Sequence, residues 1–169
     1  MAHSAYPELG DSAIEKLLDA LNAIRKVELP VDPILGASTL NIGTIHGGRA
    51  PNVIPDEARA ELFIRLVGDA DNTRRALARA VSPWSDRGVE LNWVLEIPAI
   101  RLTAVEGLPT TVVAFTTDIP AFGGSWGQPL LFGPGTIHVA HTLEERVPKQ
   151  QLLNAVEIYQ KMVRQLKGN

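Results

Sequence analysis

The chain has 169 residues, of which 45% are hydrophobic and 21% charged, and carries a formal net charge of -3. That is the balance of an ordinary globular protein, long enough for one medium domain or two small lobes. It contains no cysteine, which excludes disulfides, thiolate metal sites and thiol catalysis. No Lys/Arg cluster is dense enough for a nucleic-acid stripe, and no apolar run is long enough to span a bilayer.

The opening Met1-Ala2-His3-Ser4-Ala5-Tyr6 lacks the basic and apolar regions of a signal peptide, so a cytoplasmic location is the default expectation. Ser12-Ala13-Ile14-Glu15 reads as a capping box, with a Ser hydroxyl able to accept from a free backbone N–H. Ile14, Leu17, Leu18, Leu21 and Ile24 follow at helical spacing, which predicts a helix from about Ser12 to Val27, stopped before Pro30 and Pro33.

Thr39 to Ile45 reads as a strand with Leu40 and Ile42 on one face, broken by Gly47-Gly48 and Pro51. Arg59 to Val67 alternates: Ala60, Leu62, Ile64 and Leu66 face one way, Arg59, Glu61, Phe63 and Arg65 the other. Asp71 to Val81 predicts a short helix stopped by Pro83. Val89, Leu91, Trp93 and Leu95 alternate as a further strand.

Helix, strand, strand, helix, strand is an α+β lobe, with a sheet covered by helices on one face. One more strand before the first helix would complete the βαββαβ ferredoxin-like split. That strand is missing or truncated. The expectation is that residues 1–6, the Thr111–Phe115 stretch or a second chain fill the gap.

After Pro98 the pattern changes. Thr111 to Phe115 reads as a short apolar strand, Asp118 to Gln128 as a Gly/Pro-rich loop, and Leu130 to Phe132 as a strand running into Gly133-Pro134-Gly135. Pro148 suits the first turn of a last helix. Leu152, Leu153, Val156, Tyr159, Val163 and Leu166 give that helix an apolar stripe. A few short strands and one helix cannot close a core alone, so this tail reads as completing another domain's sheet.

Chemistry could reside in few places. A hydrolytic zinc site usually needs three protein ligands and an open position for water, and the histidines are His3, His46, His138 and His141. His138 and His141 could ligate together only if their stretch were helical, and Gly135 and Pro148 around it favour a loop. His141 reads either as a ligand or as a histidine hydrogen-bonded in a turn. Gly133-Pro134-Gly135 permits close backbone approach and can present N–H groups to an anion, or is a plain turn. The stretch from Gly47 to Pro55 is a long hairpin connection, in which Arg49 and Asn52 could reach a ligand. Arg65 could hold a carboxylate through parallel hydrogen bonds, or lie on a solvated sheet face. Glu144-Glu145 could be an acid/base pair, or the charged start of a helix.

Four stretches in order resemble the M20 family of di-zinc hydrolases, which includes deacetylases, desuccinylases, aminoacylases and carboxypeptidases. Ala2-His3-Ser4-Ala5-Tyr6-Pro7-Glu8 through Ala13-Ile14 resembles the opening of the family's lid, or dimerisation, domain. Asn41-Ile42-Gly43, Gly47-Gly48 and Asn52-Val53-Ile54-Pro55-Asp56 resemble its hairpin, and Phe132-Gly133-Pro134-Gly135 with Ala140-His141 to Glu144-Glu145 resembles its C-terminal end.

The resemblance implies a lid over residues 1–98 and, over 99–169, a strand-loop-helix segment belonging to the catalytic domain. His141 would be the last zinc ligand. His3 would project into a partner subunit's site and stabilise the oxyanion. Arg65, Asn52, Gly133 and Gly135 would bind substrate, and Glu145 would stand beside the ligand histidine. Two zinc ions per subunit, a homodimer through the lid, and cleavage of N-acyl amino acids or peptides with a free carboxylate follow for the parent enzyme. The family's remaining ligands lie in an N-terminal half whose motifs are not in this sequence, so the chain alone is expected to be inactive and to bind no stoichiometric zinc. A rival reading is a stand-alone dimerisation module without catalysis. An RNA-binding ferredoxin-like domain is disfavoured by the acidic balance and the 5% aromatic content.

Overall fold

The structure, a computed structural model, describes residues 2–125 and 127–167. Met1, Trp126 of the predicted 118–128 loop, Gly168 and Asn169 lie outside the described residues. The chain divides into two compact units, Met1–Ala99 with Val112–Thr116, and Ile100–Thr111 with Thr117–Asn169.

The first unit is mixed α and β. In chain order it holds β1 (Ala2–His3), a 3-10 turn at Pro7–Leu9, α1 (Ala13–Ile24), β2 (Val31–Asp32), β3 (Gly36–Ala37), β4 (Thr39–Gly47), β5 (Val53–Ile54), β6 (Ala58–Arg65), α2 (Ala70–Val81) and a 3-10 turn at Ser82–Arg87. The predicted first helix is α1. Ser12 caps it, its hydroxyl accepting from the Glu15 amide at 3.3 Å. The Asp69 carboxylate does the same for α2, accepting from the amides of Asp71 and Asn72 at 2.9 and 3.2 Å. Each cap satisfies donors that a helix start leaves free.

The main sheet is the antiparallel pair β4–β6, with Leu40 opposite Ile64 and Ile42 opposite Leu62. The register shifts between Ile42 and Thr44, so Gly43 is an extra residue and Ile45 still meets Ala60. Leu40, Leu62 and Ile64 pack on a buried cluster of Ala20 and Ile24 from α1 and Leu77 and Val81 from α2. This is the predicted sheet with helices on one face. Its alternation survives along β6, where Ala60, Leu62 and Ile64 are half-buried and Arg59, Glu61, Phe63 and Arg65 exposed.

Two small pairs complete the unit. β2 and β3 form a tight hairpin where Pro30 and Pro33, as helix breakers, predict only an end to α1. The Asp32 carboxylate accepts from the amides of Ile34 and Leu35, both at 2.7 Å, and closes the turn. β1 pairs with β5, Ala2 opposite Ile54 and His3 opposite Val53. The chain's first residues therefore brace the hairpin connection and do not extend the β4–β6 sheet.

Three predicted strands do not form among the described residues. Val89 and Leu91 pack on the core as the alternation required, but Val89 to Leu95 has no ladder. A strand exists only where a neighbour takes its backbone groups, and β4 is the one strand paired with β6. Side chains hold the segment instead. Arg74 of α2 pairs with Glu96, and its guanidinium lies 5.7 Å from the centre of the Trp93 ring. The Thr111–Phe115 stretch also forms no strand. Residues 112–116 join the first unit, where Arg65 Nη1 donates to the Ala114 carbonyl at 2.5 Å. Leu130 to Phe132 likewise forms no strand, and the Phe132 carbonyl accepts from the Tyr159 hydroxyl at 2.9 Å.

The second unit holds 3-10 turns at Ile119–Phe122 and Ile137–Val139 and one long helix, α3 (Lys149–Leu166). Pro148 stands at the cap, one position earlier than the first turn predicted for it. Ala155 and Met162 are the buried hydrophobic residues of this unit among those described. The face of α3 that packs is the one bearing Gln151, Ala155, Ile158, Met162 and Gln165. Along it, Gln165 reaches the Glu106 carbonyl at 3.1 Å and Gln151 accepts from the Gly135 amide at 2.8 Å. The predicted stripe of Leu152, Leu153, Val156, Tyr159, Val163 and Leu166 is largely exposed, with the Tyr159 ring edge-on to Phe132 at 5.1 Å between centroids.

Candidate functional site

The best-built corner lies where β1 meets β5. Beyond the His3–Val53 pairing, the Ser4 amide donates to the Asn52 carbonyl at 3.0 Å and the Tyr6 amide to the His3 carbonyl at 3.0 Å. The Ala13 amide, at the start of α1, donates to the Pro55 carbonyl at 2.9 Å. Gly10 lets these segments close. A Cβ there would stand 2.8 Å from Ile54 Cδ1 and 3.1 Å from the Ala2 Cβ. His3 and Asn52, far apart in sequence, thus share one exposed corner.

The imidazole of His3 is oriented. Its Nδ1 accepts from the Ala5 amide at 3.1 Å, so the neutral ring carries its proton on Nε2 and offers that nitrogen as a donor. The Tyr6 ring stands edge-on to it, with centroids 6.4 Å apart. A fixed N–H at an exposed corner can stabilise negative charge on a ligand brought to it.

Arg65 is elsewhere. The β1–β5 corner adjoins the Gly47/Ala58 end of the β4–β6 pair, where the Gly48 amide donates to the Glu57 carbonyl at 3.3 Å. Arg65 closes the opposite end, opposite Thr39. Seven steps along β6 lead from Ala58 to Arg65, roughly 23 Å at the usual rise. Within one chain, no small ligand touches His3 and Arg65 together. Arg65 stacks near Phe63, its guanidinium 5.1 Å from the ring centre, and spends one N–H on Ala114.

At the His3 end the structure adds a recess of about 280 Å³ lined by His46, Arg49, Asp56, Glu57 and Arg59. Arg49 and Asp56 approach to 3.6 Å across it. Of these, the sequence alone points to Arg49 as a ligand contact and to His46 as one of the four histidines. His46 and Arg59 face each other across the ladder, a pairing that register alone decides.

In the second unit, His141 is the one non-glycine residue with positive φ, 63°, among those described. A left-handed histidine costs on the order of 1 kcal/mol and needs surrounding hydrogen bonds to persist. Its amide donates to the Glu145 carboxylate at 2.9 Å. The Glu145 amide in turn donates to the Thr142 carbonyl at 3.2 Å, and the Thr142 hydroxyl to the Val139 carbonyl at 2.7 Å. Glu145 therefore engages the backbone of His141. His138 belongs to the preceding 3-10 turn, so the two histidines are not on a shared helix. Gly135 has φ 97°, a conformation open to glycine, and its amide is already committed to Gln151.

No group of three His, Asp or Glu side chains that could hold a metal ion occurs among the described residues. A catalytic zinc needs about three protein ligands, and among the described residues His141 belongs to no group that could supply them. The residues described do not, by themselves, fit a metal centre. No helix described is long and apolar enough to cross a membrane. One carboxylate is clearly perturbed. Arg87 and then Lys16, at 2.6 and 3.1 Å, hold the Asp11 carboxyl below the usual carboxylate range.

Residues 1–83 match the family of peptidase dimerisation domains. A Peptidase M20 domain-containing protein of Schizosaccharomyces pombe is 38% identical over 162 residues, which is 95% of this chain and 40% of that protein. A probable carboxypeptidase of Aspergillus niger is 38% identical over 178 residues, 96% of this chain and 43% of its own length. A Peptidase M20 domain-containing protein of Sordaria macrospora is 36% identical over 172 residues, 98% and 38% of the two chains. The chain spans about two fifths of the curated relatives it matches.

Proposed function

The chain belongs to the M20 peptidase family through its dimerisation domain, and on that premise we propose that it is the lid and C-terminal segment of a metal-dependent hydrolase with carboxypeptidase-type chemistry. The observation that carries this reading is the geometry of the first unit. His3 and Asn52 share one corner, with the His3 Nε2–H presented outward, while Arg65 lies a strand's length away. Groups so separated can serve one small ligand only if they come from two copies of the chain, as a dimerisation domain would arrange.

In this reading residues 1–98 are the lid, completing a ferredoxin-like sheet with a strand from outside, and residues 99–169 belong to the catalytic domain. His3 and Asn52 serve the partner's site, and Arg65 with the Gly133–Gly135 loop serves its own. His141 supplies one ligand to a di-zinc centre whose other ligands come from polypeptide beyond this chain. Glu145 fixes the conformation of that ligand. The substrate is an N-acyl amino acid or peptide with a free carboxylate, met in the cytoplasm. The chain by itself binds no stoichiometric zinc and turns nothing over.

Calorimetric zinc titration of the purified chain, with a hydrolysis assay on an N-acetyl amino acid and a dipeptide, tests this. Absent binding and absent turnover are expected. Tight binding near one zinc per chain, or turnover, would sink the reading. The absence of a three-ligand cluster among the described residues equally favours a second reading, a dimerisation module without catalysis. Sedimentation finds a dimer under both. Only the first predicts restored hydrolysis when the chain is combined with the catalytic half of a relative.

A further inference from the structure

The recess at the open end of the β4–β6 pair holds charged side chains that find no partner in the described chain. Glycine makes the recess possible. A Cβ on Gly47 would stand 2.8 Å from the Ala58 Cβ and 3.1 Å from the Glu57 carbonyl oxygen, so a residue without one lets residues 57 and 58 close over the end of β4. The Gly48 amide fixes the closure by donating to that carbonyl at 3.3 Å. Around the resulting recess of about 280 Å³ stand His46, Arg49, Asp56, Glu57 and Arg59. Arg49 and Asp56 face each other at 3.6 Å. The other three, all exposed, make no side-chain hydrogen bond or ion pair among the described residues. His46 and Arg59 are direct cross-strand partners, which sets their Cβ atoms about 5 Å apart on one face of the ladder. Glu57 precedes Arg59 by two residues, about 7 Å along extended chain and on the same side.

We propose that this recess binds the zwitterionic head of a free α-amino acid. The carboxylate goes to Arg59, whose guanidinium can hold it through two parallel N–H donors, with the His46 ring as a further donor. The ammonium goes to the Glu57 carboxylate. One such ligand complements every unpaired charge in the recess. A simple anion would meet Glu57 and a simple cation would meet Arg59, each a like-charge contact that selects against it. Size agrees. The recess lies just under the ~300–1,000 Å³ of drug-sized ligand sites, which suits a ligand as small as an amino acid. The charges are exposed, so binding is weak, with half-saturation on the order of 1 mM. None of the groups given a role in hydrolysis above takes part, so failure of this site would leave the hydrolase reading standing, and the reverse.

The test follows the backbone amides of Gly47, Gly48, Glu57 and Arg59 by NMR while the purified chain is titrated with L-alanine at constant pH and ionic strength. N-acetyl-L-alanine, which lacks the ammonium, and L-alaninamide, which lacks the carboxylate, are the comparison ligands. L-alanine is expected to shift these amides saturably, at a concentration on the order of 1 mM, and each comparison ligand to bind at least about tenfold more weakly. Arg59→Gln and Glu57→Gln should each weaken L-alanine binding about tenfold, and Glu57→Gln should also abolish the preference for L-alanine over N-acetyl-L-alanine. Saturable shifts that are equal for L-alanine and either comparison ligand would mark a simple anion or cation site and overturn the proposal. Shifts that rise linearly with ligand, that bypass the recess, or that survive both substitutions overturn it as well.

Discussion

Leu77→Ala probes the small core of the first unit most directly. Leu77 is 3% exposed and joins Ala20, Ile24 and Val81 in the buried cluster under the β4–β6 sheet. The substitution removes three carbons, about 2.4 kcal/mol at roughly 0.8 kcal/mol per buried methylene. The cavity left behind raises the loss to about 3–4 kcal/mol, within the range for buried Leu→Ala changes. Small domains hold about 5–15 kcal/mol in total, so between about a fifth and four fifths of the unit's stability goes. Trp84 packs against this cluster and serves as the fluorescence reporter in urea. The midpoint is expected to fall by about 1.5–2 M for a slope near 2 kcal/mol/M, with the slope unchanged. Leu153→Ala, at a position 64% exposed, is the control and should move the midpoint by no more than about 0.3 M. A loss under about 1 kcal/mol for Leu77→Ala would refute the assignment of this cluster as the core.

Three further outcomes follow from local geometry. Ser12→Ala removes the acceptor for the Glu15 amide and should cost about 1 kcal/mol in the same urea assay; Ser12→Asn should restore most of it. Asp11 is held below its usual range by Arg87 and Lys16, so its ion pairs add stability above the unfolded carboxyl's pKa and lose it as the pH falls through the lower, folded value. Urea midpoints of the wild type should therefore drop in acid more steeply than those of Asp11→Asn, and parallel curves would refute the pairing. Gly10→Ala places a methyl 2.8 Å from Ile54 Cδ1. The β1–β5 pair should loosen, read as faster exchange of the Ser4 amide, while α1 and the β4–β6 ladder keep their protection.

Much of this protein was legible in its residues because the deciding forces were local. Ser12 starts its helix by accepting from the amide of Glu15, three residues ahead. The alternation of Ala60, Leu62 and Ile64 with Arg59, Glu61 and Phe63 sets the buried face of β6 whatever lies beyond it. The ordered motifs around His3 and Asn52 lie inside the match to peptidase dimerisation domains over residues 1–83. Tertiary structure decided whatever depended on a neighbour. Val89 to Leu95 alternates like a strand but has no ladder, because a strand's hydrogen bonds belong to its partner. The apolar stripe of α3 marks a face that wants burial, yet within this chain Ala155 and Met162 are buried in its place. The pairing of His3 with Val53, the separation of Arg65 from that corner, and the grip of Glu145 on the His141 amide all arise from register and backbone conformation. Composition and periodicity carry no record of these, since they encode which side of a segment is apolar and leave open what will cover it.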